Sequence, residues 1–262
     1  MSNLESFTIG KYSLKKIDWD FTEEPLGMLL IWEGPMSGFR YVIGVDSAEG
    51  LGEDRCAIEV NRVGTSLRTD EQVAEWCGNV NGIELAPILY TVANLYTVGG
   101  EEPMLAIEVN RGDVVQMEMR LRYDWSYFYQ QRYYDKVKGG WSHRLGWNTN
   151  NDSRTKMLSR AIQQIKSHQW RINSPWLIDE LSDFEYNAER MKMKAAAHCH
   201  DDRVISSFIA LYCSGEIGTI DPEDVANIAK EDSLGKLQKR SFQQMDISAD
   251  EADNYGNSML YY

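Results

Sequence analysis

The stretch YVIGVDSAEG, Tyr41 to Gly50, decides how the rest of the chain is read. Its apolar residues Tyr41, Val42, Ile43 and Val45 form a short run rich in β-branched side chains, closed by the turn-forming Ser47-Ala48-Glu49-Gly50. That pattern predicts a buried strand and not a helix. The run ends in a single carboxylate, Asp46. An acid in that place either caps the next turn through local hydrogen bonds or faces a site.

Moving outward, DRCAIEVNRV alternates Cys56, Ile58 and Val60 with Ala57, Glu59 and Asn61. Period two predicts a second strand, paired with the first across the Gly50 to Asp54 turn. EQVAEWCG supplies a third strand of an antiparallel meander, ending at the Gly78 to Gly82 turn. From Glu84 to Val98, apolar residues recur at three- and four-residue spacings, which predicts an amphipathic helix. After Gly99-Gly100, Met104 to Ile107 form another short apolar run, and this one ends at Glu108. A strand that returns after a helix lies parallel to the first strand in a mixed α/β sheet. Ligand sites form at the carboxyl ends of such neighbouring parallel strands, where Asp46 and Glu108 would stand side by side.

The chain before Tyr41 holds Trp19, Phe21 and Trp32 and reads as a lead-in packed on the domain, with a short helix near Leu26 to Trp32. Beyond Glu108, a helix is expected through Val114 to Leu121. The aromatic stretch YDWSYFYQQRYYD, Tyr123 to Asp135, has two readings. It is either a platform on which unpaired bases stack or a strand and loop packed on the core. A helix from about Ser153 to His168 carries Arg154, Lys156, Arg160 and Lys166, the clearest local positive charge. These are either a solvated face or phosphate contacts. A further helix follows Pro175. His200, Asp201 and Asp202 then open a helix whose buried stripe is Val204, Ile205, Phe208, Ile209 and Tyr212. One acid at a helix start is explained by the macrodipole, but an adjacent pair preceded by histidine suggests more.

Composition narrows the function classes. The chain has 262 residues, 11% aromatic and 26% charged, with 27 Lys plus Arg against 40 Asp plus Glu, for a net charge of −13. That length buries a full core. The acidic balance argues against nucleic-acid binding through bulk charge, although a local basic face can still neutralise phosphates. No apolar run approaches the roughly 20 residues that cross a bilayer, and the first residues carry no basic-then-apolar leader, so a soluble intracellular protein is expected. Cys56, Cys77, Cys199 and Cys213 are scattered without C-x-x-C spacing, which predicts free, mostly buried thiols. From Asp221 the chain is polar and acidic and reads as a flexible tail.

Asp46, Glu108, Asp201 and Asp202 thus end or begin core elements. Clustered carboxylates repel one another and call for a cation, and oxygen-only ligands suit Mg²⁺ or Mn²⁺ better than zinc. Two such ions could orient a water against a phosphodiester, with Asp46 bridging them.

In this order and at these separations, YVIGVDSAEG, LAIEVNRGD, GWNTNNDSRTK and HCHDDRVISSF resemble the nuclease domain of phage terminase large subunits, over roughly Tyr41 to Tyr212. The resemblance implies an RNase H-like fold: a mixed β-sheet, an antiparallel meander plus parallel strands, flanked by helices. It implies a metal-dependent endonuclease of little sequence specificity that cuts concatemeric viral double-stranded DNA during packaging, in the host cell cytoplasm, with a portal protein and a small terminase subunit as partners. Asp46, Glu108, Asp201 and Asp202 carry over as metal ligands for two Mg²⁺ or Mn²⁺ ions, with His200 beside them. Arg154 and Lys156 carry over as DNA contacts. The family's amino-terminal ATPase motor is not matched, because no G-x-x-x-x-G-K-[ST] occurs in the chain. The expected organisation is a lead-in (1–40), a nuclease domain (41–220) and an acidic tail (221–262). Alternatives are a junction resolvase on the same fold, a non-catalytic docking module of a packaging motor, and a two-carboxylate glycosidase, which leaves the third acidic position unexplained.

Overall fold

The computed structural model describes residues 10–14, 21–23, 27–47, 55–110, 113–187, 192–195 and 200–217. The expected tail (221–262), Cys199 and most of the Ser47 to Asp54 turn lie outside the described residues. In chain order the first elements are β1 (Gly10–Leu14), β2 (Phe21–Glu23), β3 (Leu29–Ile31), β4 (Tyr41–Asp46), β5 (Cys56–Arg62), β6 (Asp70–Gly78), α1 (Gly82–Leu95) and β7 (Met104–Ile107). They are followed by α2 (Asp113–Leu121), β8 (Gln130–Asp135), β9 (Gly140–Leu145), α3 (Asn151–Lys166), β10 (Trp170–Arg171), α4 (Pro175–Ser182), β11 (Phe184–Asn187), β12 (Lys192–Ala195) and α5 (Asp202–Ile217).

β4, β5 and β6 form the expected antiparallel meander, with Ile43 opposite Val60 and Ile58 opposite Trp76. β7 returns parallel to β4, Val45 pairing with Ile107. The described strands of this sheet run in the order β2-β1-β3-β6-β5-β4-β7, and β10 pairs with β6. Because β4 is central, its alternate side chains are buried on opposite faces, as a parallel pairing requires. Ile43 and Val45 pack with Leu85, Leu89 and Val92 of α1 and Val115 and Met119 of α2. On the other face, Val42 packs with Met157 of α3 and Val204, Phe208 and Ile209 of α5.

The helix expected near Leu26 to Trp32 is not formed. Leu29, Leu30 and Ile31 are all buried and form β3, antiparallel to β6. Three consecutive buried residues suit a strand covered on both faces, whereas a surface helix would expose one of its sides. The sequence reading also lacked β1, β2 and the short hairpin β11-β12, in which Tyr186 lies opposite Met193.

The helix starts follow local chemistry. Asn81 accepts from the Ile83 and Glu84 amides while the Glu84 carboxylate accepts from the Asn81 amide, a reciprocal cap of α1. Asn150 and Ser153 close α3 in the same way. Ser174 caps α4, with Pro175 at its first position.

Beyond β7 the edge of the sheet is interrupted. Phe128 bridges Leu105 and Trp147 bridges Glu108, both in parallel, and between them the chain loops out as the β8-β9 hairpin. The aromatic stretch therefore divides. Trp125, Phe128 and Tyr129 are buried, while Tyr127 and Tyr134 are exposed.

Candidate metal and phosphodiester site

The site is assembled by three elements, and one glycine governs how they meet. At Gly44, in the middle of β4, an added Cβ would collide with the Ser206 carbonyl oxygen of α5 and lie 2.8 Å from the Ala210 amide nitrogen. Only a residue without a side chain lets α5 pass this close over the strand. The helix start is thereby brought to the carboxyl ends of β4 and β7. Asp46 ends β4 and Glu108 follows β7, held by the Glu108 amide donating to the Val45 carbonyl at 2.9 Å. Asp201 precedes α5, its carbonyl accepting from the Ile205 amide at 2.8 Å, and Asp202 is the first residue of the helix.

All four carboxylates line one cavity of about 440 Å³, together with Ser47, Arg55, Asn110, Thr149, Arg154 and Ile205. Burial pushes the Asp46 carboxyl well above the ordinary carboxylate range, and the charge of Glu108, a side-chain hydrogen bond with Glu108, and the charges of Asp202 and Asp201 push it the same way. His200 stands with Nδ1 3.6 Å from Asp202.

Arg154, in the first turn of α3, reaches into the cavity with its guanidinium 3.6 Å from Asp201. Lys156 does not line the cavity. It is exposed and paired with Asp152 at 2.8 Å, one helical turn earlier. The rim is built from amides: Asn148 Nδ2 donates to Asn110 Oδ1 at 2.6 Å, and Asn110 Nδ2 donates to the Thr149 carbonyl at 2.8 Å.

The donor set fits a hard divalent cation. It is all oxygen and strongly anionic, and Ser47 adds a buried hydroxyl with no hydrogen-bond partner among the described residues. Among the described residues no three acidic, imidazole or thiol side chains are already gathered into a coordination shell.

Sequence reasoning missed Arg55, Asn110 and Thr149 as cavity residues, although all three lie within stretches quoted above. It also missed the anchor of α5. Arg203, next to Asp202, turns away from the cavity and donates to Glu75 and Glu180, each at 2.7 Å, while its amide donates to Glu180 at 3.0 Å. Cys56, Cys77 and Cys213 are buried and form no disulfide among the described residues. Among the described residues no helix is long and apolar enough to cross a membrane.

No family model matches the sequence, and no curated protein sequence matches it significantly. Solved structures do. The large terminase nuclease from thermophilic phage G20c with bound magnesium is similar over 80% of this chain and 95% of that one, at 16% identity and a TM-score of 0.56. The same nuclease with bound cobalt gives 17% identity and a TM-score of 0.56, with 80% and 95% covered. The large terminase nuclease domain of Thermus phage P74-26 gives 17% identity and a TM-score of 0.54, covering 80% of this chain and 92% of that one. The fold is that of large terminase nucleases, the RNase H-like mixed sheet expected from the sequence.

Proposed function

We propose that the chain is a metal-dependent endonuclease that cuts viral double-stranded DNA during packaging. The observation that carries this reading is the convergence of Asp46, Glu108, Asp201 and Asp202, from three elements, on one cavity at the carboxyl ends of β4 and β7. The magnesium and cobalt held by the similar G20c nuclease support a divalent cation here. Asp46 and Glu108 would hold Mg²⁺ or Mn²⁺, with Asp201 and Asp202 completing sites for two ions. When bound, such ions polarise the phosphodiester and make water more acidic.

The chain's own residues supply the rest. The four carboxylates set a negative field that by itself would repel a phosphate, and Arg55 and Arg154 line the same cavity as the groups that offset it. Arg154, beside Asp201, is placed to donate to a non-bridging phosphate oxygen. The Asn110–Asn148 rim fixes the loop after β7, and with it the backbone at Glu108. We assign residues 41–220 to the nuclease unit, with the lead-in extending its sheet. Portal protein, small terminase subunit and an ATPase motor are the partners this role requires.

Supercoiled plasmid incubated with Mn²⁺ or Mg²⁺ tests the reading. Cleavage that EDTA stops and Asp46→Asn abolishes is expected. Full metal-dependent cleavage by Asp46→Asn would overturn the assignment. Equal cutting of linear duplex and four-way junctions is expected, whereas a strong junction preference would favour a resolvase.

A further inference from the structure

Resting on the nuclease reading, the geometry points to the β8-β9 hairpin as a duplex-DNA grip rooted beside the acidic cavity. The hairpin emerges where the edge strand is interrupted, one residue pair from the Glu108–Trp147 bridge. At its root the backbone turns through Gly146, whose φ of +79° suits glycine and whose Cβ would meet the Ile107 carbonyl at 2.8 Å. Gln131 of β8 then ties the hairpin to the cavity rim. Its Oε1 accepts from the Asn148 amide at 2.8 Å and its Nε2 donates to the Asn148 carbonyl at 3.2 Å, while Asn148 holds the cavity residue Asn110. Whatever the hairpin holds is therefore registered against the carboxylates.

The surface it presents is basic, as is that of α3. Residues 130–145 carry Arg132, Lys136, Lys138 and Arg144 against the single acid Asp135, in a protein of net charge −13. Asp135 is itself occupied in shaping the tip, its Oδ1 accepting from the Val137 and Lys138 amides at 2.9 and 3.1 Å. Both arginines are braced by rings: Arg132 lies 4.3 Å from the centroid of Trp141, and Arg144 5.0 Å from that of Tyr133. These aromatic contacts hold the guanidinium groups at low entropic cost while leaving their donors available. Trp141 is 62% exposed and Val137, at the tip, 97% exposed, although neither belongs to a core.

A two-stranded ribbon fits the major groove, about 12 Å wide, and four cations spread over both faces and the tip match the two phosphate rails that flank it. An acidic protein surface offers the same charge, but the tie through Gln131, Asn148 and Asn110 to the cavity favours DNA. The grip would hold the duplex arm next to the cut, and sequence would matter little because phosphate contacts carry the affinity.

Fluorescence anisotropy of a labelled 30-base-pair duplex in EDTA tests the grip, using the full chain, Arg132→Glu/Arg144→Glu and Lys136→Glu/Lys138→Glu, with melting curves confirming that the variants fold. Each double variant is expected to bind about tenfold or more weakly, and the slope of log affinity against log salt should shrink by roughly 1.8 for two lost phosphate contacts. Trp141→Ala should weaken binding by releasing Arg132. Unchanged duplex affinity in both charge-reversal variants would overturn the proposal. So would unchanged affinity accompanied by loss of self-association in sedimentation, which would assign the hairpin to a protein contact. Metal-dependent cleavage by the unmodified chain is scored separately: its absence refutes the nuclease reading, while normal cleavage with unaltered binding by the variants refutes only the grip.

Discussion

Among the described residues, Glu59 and Glu75 are acids buried away from the acidic cavity that Asp46 and Glu108 line. Under the sheet, Glu59 and Glu75 are each 1% exposed, yet Gln72 donates to Glu59 at 2.8 Å and Arg203 to Glu75 at 2.7 Å. At the ends of β4 and β7, the Asp46 and Glu108 side chains hydrogen-bond to each other, and Arg55 and Arg154 stand at the cavity wall. Burial is the leading cause that raises both Glu59 and Asp46 well above the ordinary range. The difference is in what offsets the charge. The first cluster carries its own guanidinium and closes on itself, so it holds elements together. The second has room for a cation from solution, as the proposed metal site requires.

Neutralising one acid in each cluster should separate the two roles. Asp46→Asn is expected to show the largest effect, lowering plasmid cleavage by more than about a hundredfold, since even partners behind a metal ligand cost ten- to a hundredfold. Without metal its melting temperature should equal or exceed that of the unmodified chain, because a carboxyl held unfavourably at neutral pH is gone. Mn²⁺ should raise the melting point of the unmodified chain and not that of the variant, as binding to the folded state alone requires. If the variant melted several degrees lower without metal, Asp46 would belong with the structural cluster.

Removing the cation from the closed cluster should do the reverse. Arg203→Gln leaves Glu75 and Glu180 without their guanidinium partner, and breaking a buried pair from one side costs about 3–5 kcal/mol. Calorimetry should show a melting point lower by roughly 6 °C or more. Cleavage should fall less than in Asp46→Asn, and only as far as the start of α5 shifts.

A smaller effect is expected from pH. With its folded value raised, Glu59 keeps its proton in the folded chain after the unfolded chain has lost it. The unfolded state then binds fewer protons, so the contribution of this group to stability falls as pH rises from about 4.5 toward the raised folded value. Glu59→Gln should flatten that part of a plot of melting temperature against pH. An identical slope in the variant would place the titration elsewhere.

Much of the site could be read from the sequence because each acid follows or opens a short apolar run. Asp46 and Glu108 end strands of four to six residues, and Asp201 and Asp202 precede a clear helical stripe, so their elements and order were legible. The second cluster was not, because its pairs join residues 128 and 23 positions apart and carry no local pattern. β3 was hidden for another reason: three residues are too few to show a period, and its neighbours Trp32 and Leu26 imitate helical spacing. The hairpin was obscured by its aromatics, since Tyr133, Tyr134 and Trp141 look the same in sequence whether they line a core or brace exposed arginines. Gly44 in sequence only interrupts the apolar run from Tyr41 to Val45. Its role needs α5, more than 160 residues later, lying across it.

The smallest contrast concerns two cations on the same helix turn that sequence treats alike. Arg154 lines the cavity 3.6 Å from Asp201, whereas Lys156 is exposed and its ammonium is held by Asp152. Pairing with Asp152 raises the Lys156 value, so this lysine stays charged at any working pH, but its charge is directed along the helix surface and is screened by salt. Arg154→Glu should therefore lower cleavage by about tenfold or more by adding a fifth carboxylate where a phosphate oxygen would be received, while Lys156→Glu should change cleavage little at 150 mM salt and leave the melting temperature nearly unchanged. Cleavage rates of both variants at 50 and 150 mM salt decide the matter. If Lys156→Glu lost as much activity as Arg154→Glu at both concentrations, DNA would have to cross the exposed face of α3, and the cavity would extend further along that helix than its lining residues indicate.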